Sequence, residues 1–139
     1  TTASYGYPKR TASGFDQDRM SLLIAMLERR TKLNLADKDV YVNVVGGIKV
    51  TEPAADLAVV MAIASASKGL QLKKDAVVFG ELGLSGEVRR VPFAEKRVAE
   101  AKKLGFSGAI GPKLREKQPV GLLPVGSVRE ALNTYLEKE

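Results

Sequence analysis

The sequence predicts a mixed α/β fold, an α/β (α+β) two-layer arrangement with helices packed on a sheet. Three observations lead there. Short β-branched runs alternate with helix-period runs along the whole chain. Each helical run begins or ends on residues suited to its terminus. The 139 residues are 45% hydrophobic, enough to build one core. No internal repeat, low-complexity tract or linker divides them, so one domain over 1–139 is expected.

The elements follow in order. Residues 1–15 are rich in Gly, Ser, Thr and Pro and read as a loop or the frayed end of a strand. From Asp16 a helix is predicted, with Met20, Leu23, Ile24 and Leu27 on one face. Asp16 and Asp18 sit at its start, and Arg29, Arg30 and Lys32 at its end, as the helix dipole favours. Val40–Val45 reads as a strand stopped by Gly46 and Gly47. Thr51 is the expected N-cap of a second helix that is apolar on most sides, with Asp56 as its one charge and Gly69 as its stop.

Ala76–Gly80 reads as a central strand, and residues 82–88 as a turn feeding another. A third helix is expected over 93–104, with Phe93, Val98 and Leu104 in its apolar stripe. Its basic face of Lys96, Arg97, Lys102 and Lys103 is expected to be exposed. Ala109-Ile110 reads as a short strand stopped by Gly111-Pro112, and 120–125 as a last one. Ser127 and Glu130 form a capping box for the C-terminal helix.

Composition removes most familiar hydrolase chemistry. With no cysteine and no histidine, there is no disulfide, no thiol nucleophile, no Ser-His-Asp triad and no usual zinc ligand set. The 22 Lys+Arg outweigh 16 Asp+Glu, giving a net charge of +6 and the electrostatic footprint of a polyanion binder. No apolar run approaches the ~18 residues of a membrane span, and no signal peptide is visible. A cytoplasmic location is expected, with no membrane partner. The start at Thr1-Thr2 fits a fragment or a processed product.

Neither phosphate-loop motif, G-x-x-x-x-G-K-[ST] or G-x-G-x-x-G, is present. Gly46-Gly47-Ile48-Lys49 has amides to offer an anion, but Glu52 ahead of the next helix would repel one, so a plain connection is expected. Ser-Lys catalysis is the surviving nucleophilic option. Ser65 and Ser67 are better explained as bonding back to helix carbonyls, and Ser85 as a turn residue.

Two long ungapped strings then carry a resemblance: GGIK-x-TEPAADLA and FGELGLSGEVR, within Val40–Lys113. With Ser4–Arg30 upstream, this region resembles the C-terminal domain of the bacterial RadA (Sms) family of recombinational repair proteins. That domain is in turn similar to the Lon proteolytic domain and to the ribosomal protein S5 domain 2-like fold. The resemblance implies that the Lon nucleophile position, in a D-G-P-S-A-G string, corresponds to Ala54. It implies that the Lon base lysine corresponds to Glu95, or with a one-residue slip to Lys96. No catalytic residue and no metal ligand is therefore expected in this stretch.

The resemblance further implies a non-proteolytic oligomerisation scaffold and DNA-binding domain of a RadA-type ATP-dependent recombination and repair motor that processes branched intermediates. The parent resembles a DNA-dependent ATPase. It would assemble as a hexamer, act with a RecA-type recombinase, and carry ATP/Mg and Zn in domains whose Walker lysine, zinc cysteines and K-N-R-F-G motif are absent from this sequence. A purely structural ring-forming module is the alternative, and a residual Ser-Lys peptidase a further one. From the residues, the expected nucleic-acid contacts are Lys9, Arg10, Arg89, Arg90, Lys113 and Arg115. Tyr5 and Tyr7 are candidates for base stacking or for pinning the N-terminal strand.

Overall fold

The computed structural model describes residues 2–3, 8–115 and 117–137. Tyr5 and Tyr7 lie outside the described residues. The elements run β1 (Thr2–Ala3), β2 (Arg10–Ser13), α1 (Gln17–Arg30), β3 (Lys38–Asn43), α2 (Asp56–Lys68), β4 (Gln71–Leu72) and β5 (Ala76–Val78). They continue as β6 (Glu81–Leu82), β7 (Val88–Arg89), α3 (Ala94–Lys103), β8 (Gly108–Pro112), β9 (Leu122–Val125), α4 (Val128–Tyr135) and β10 (Leu136–Glu137). The architecture is the mixed α/β domain expected.

Helix α1 forms where the sequence places it. The Asp16 carboxylate accepts from the N–H groups of Asp18 and Arg19 at 2.9 and 3.3 Å, a side-chain N-cap. Met20, Leu23, Ile24 and Leu27 are buried on its inner face. The helix is the crossover between β2 and β3, which pair in parallel with Arg10 opposite Val40, and parallel pairing requires such a crossover. A second parallel sheet, ordered β5-β8-β9, carries α3 and a smaller cluster of Phe79, Val98, Ala101 and Leu122. The main core lies between α1, α2, α4 and the sheets, around Met20, Leu27, Leu57, Met61 and Ile110.

Several expectations are corrected. Of the two expectations for residues 1–15, a loop or a frayed strand end, residues 10–13 take the strand and form it regularly, because β3 offers a parallel ladder. Gly111 and Pro112 do not stop a strand; they belong to β8, which is buried throughout. Gly111 is needed there, since a Cβ would lie 2.6 Å from the Phe79 ring. Phe93 and Leu104 are not in the stripe of α3: both are 67% exposed, flanking the helix, and its buried residues are Ala94, Val98 and Ala101. Ser65 donates forward to Leu70 O, beyond the helix end, rather than back along α2.

Thr51 does not cap α2. A 3-10 turn, Pro53–Ala55, leads into the helix, and the backbone of Gly80 closes its start. Gly80 N–H donates to Ala54 O at 2.7 Å, and Leu57 N–H donates to Gly80 O at 3.0 Å. A distant backbone segment thus takes the place of a local hydroxyl, which local sequence does not reveal. Gly69 does end the helix, at φ 65°.

Among the described residues the one buried charge is Asp56, 1% exposed, in the first turn of α2. Arg19 of α1 faces it as a fork: Nε donates to Oδ1 at 3.2 Å and Nη2 donates to Oδ2. Nη2 also donates to Leu82 O at 3.1 Å, and Leu82 N–H donates to Asp56 Oδ2 at 3.1 Å. Both carboxylate oxygens, and the Nε and Nη2 of Arg19, are engaged within α1, α2 and β6. The hydrogen bond to Asp56 holds the Arg19 guanidinium pKa above its already high ordinary value, against the opposing effect of burial. A raised guanidinium pKa contributes stability that is fully present below the ordinary arginine value and is lost only at more alkaline pH, so the Arg19 contribution is constant through the neutral range.

Asp56→Ala would leave a part-buried guanidinium and the Leu82 N–H without their acceptor. A loss of about 3–5 kcal/mol in urea unfolding is expected, the range for breaking a buried pair from one side.

Candidate nucleic-acid interface

The sequence named six basic residues, and the structure separates them. Arg10 turns inward. Its guanidinium donates to Leu35 O at 2.7 Å and to Lys38 O, with Glu28 3.8 Å away. Those bonds tie the end of β2 to the approach to β3, so the Arg10 fork is occupied. Lys9 is exposed, and its N–H is held by Asp39 Oδ1 at 2.7 Å.

Arg89, Arg90, Lys113 and Arg115 are all exposed. Two of them are brought together: Arg90 Nε donates to Lys113 O at 3.2 Å, joining the end of β7 to the end of β8. Lys113 Nζ reaches Glu130 Oε1 at 4.0 Å with its side chain 59% exposed. Arg89, 56% exposed, pairs with Glu87 at 3.4 Å. The Glu87 carboxyl is held below its ordinary range by its own N–H first, then by Arg89 and the Ser85 N–H. Its charge is therefore firm, and it draws on Arg89 more than on Arg90.

The Lon-related positions lie elsewhere. Ala54 is buried in the 3-10 turn, with its carbonyl already accepting from Gly80. Glu95 is exposed on α3. Lys96 Nζ sits 5.3 Å from the centre of the Phe93 ring, a cation–π arrangement. Arg97 is not on a free basic face as expected. It bonds Glu52 and Pro92 O, and stands 6.0 Å from the Phe79 ring. Glu52 is thereby matched by a cation rather than left to repel an anion. Ser65 and Ser107 donate to backbone carbonyls, and the Ser127 hydroxyl caps α4.

The Gly46–Lys49 loop borders a cleft of about 840 Å³ at the carboxyl ends of β2 and β3, with Ser13, Asp16, Asn43 and Thr51 also lining it. Among the described residues no three His, Cys, Asp or Glu side chains gather as a metal-binding group. No helix is long and apolar enough to cross a membrane among them.

Sequence reasoning missed Phe93. It precedes α3 at φ 63°, a left-handed conformation that a bulky side chain rarely adopts, and it holds an aromatic ring in solvent beside Lys96. The only signal in the sequence is a large apolar residue after a proline at a helix start.

The family model described as Subunit ChlI of Mg-chelatase matches residues 9–114. The DNA repair protein RadA of Aquifex aeolicus is 48% identical over 132 residues, covering 94% of this chain and 30% of the relative. RadA of Escherichia coli is 46% identical over 92% of the chain and 29% of the relative. RadA of Bacillus subtilis is 44% identical over 96% of the chain and 30% of the relative.

The chain belongs to the RadA family. It carries the domain that the ChlI model describes, and it spans about 30% of the length of the RadA relatives it matches. The matched part is their C-terminal part.

Phe93→Gly removes the left-handed strain and exposes no core. An increase of about 1 kcal/mol in stability is expected, read as a raised melting temperature. A lower melting temperature would show that the ring supports the fold.

Proposed function

We propose that the chain is a non-proteolytic DNA-binding module with the fold of the Lon proteolytic domain, the ribosomal protein S5 domain 2-like fold, serving a RadA-type repair protein. The observation that carries this reading is the junction at which Arg90 donates to the Lys113 backbone carbonyl, which brings two exposed basic residues together from two strand ends. The names of the relatives, DNA repair proteins, give the polyanion its class. Arg89 and Arg115 lie next to this pair in the sequence, and Lys9 is a separate contact. Arg10 leaves the set, because its fork holds the backbone.

The peptidase reading finds no support at the head of α2. Ala54 has no nucleophilic atom, and its surroundings are filled by Gly80 and the core. The magnesium chemistry named in the ChlI description belongs to that protein. Self-association into a ring, action with a RecA-type recombinase, branch processing, and ATP hydrolysis elsewhere in the whole protein belong to the same proposal, as does a cytoplasmic setting. The exposed Phe93, Leu104 and Val120 offer apolar surface for self-association.

The test is filter binding of single-stranded and duplex oligonucleotides across a salt series. Binding is expected to fall linearly in log K against log salt, because neutralised phosphates release counterions. Arg90→Ala and Lys113→Ala should each reduce that slope by about 1, whatever the sequence bound. Absence of binding at low salt would leave the structural-module reading in its place.

A further inference from the structure

We draw no further inference here: the strongest candidate, the apolar groove between β3 and α2 lined by Tyr41, Val42, Ala58 and Ala62, carries nothing, because nothing in the structure shows what covers it.

Discussion

A single carboxylate fixes the geometry of this domain. Asp56 sits in the first turn of an otherwise apolar helix, and only the Arg19 fork and one backbone amide make its burial tolerable. An isolated buried carboxylate would be expelled or neutralised. Here both oxygens are engaged, and the bonding partners come from α1, α2 and β6. The consequence is registry. Helix α2 cannot rotate or slide without breaking bonds to two other elements. A lysine would not reproduce Arg19, because a single ammonium lacks the separate Nε and Nη2 arms that engage the two Asp56 oxygens.

With α2 held there, its leading turn is closed by backbone. Gly80 bonds both Ala54 and Leu57, and the alanine side chain is packed away from solvent. Ala54 is in this chain a structural joint. Chemistry has no reactive atom to use there, and what the molecule offers to solvent is charge. That charge is not spread evenly. Arg10, Arg19 and Arg97 are consumed in holding elements together, whereas Arg90, Lys113 and the arginines flanking α4 face outward.

What the sequence revealed depended on the range of each interaction. Asp16, Gly69 and the Ser127–Glu130 pair were legible because a cap is completed within a few residues. The Glu130 carboxylate departs from the capping box only in bonding Gly126 N–H at 2.8 Å. The cap of α2 was not legible, because Gly80 comes from another element. Gly111 and Pro112 read as a stop locally, and only the approach of Phe79 shows why glycine is part of the strand. Among the candidate residues, charge alone named Arg10 and Arg90 alike and could not tell the inward one from the outward one. Arg129 stands about a hundred residues from the adjacent Arg29 and Arg30, and only the fold sets them around one cleft. The family itself was legible, because long ungapped strings carry it.

The most direct test of the account is a map of where an oligonucleotide perturbs the backbone amide resonances of the isotopically labelled chain. The account places the largest shifts at Arg89–Arg90 and Lys113, with Ala54 and its neighbours unmoved. Shifts centred on Ala54 and the cleft beside the Gly46–Lys49 loop, with Arg89–Arg90 and Lys113 silent, would contradict it.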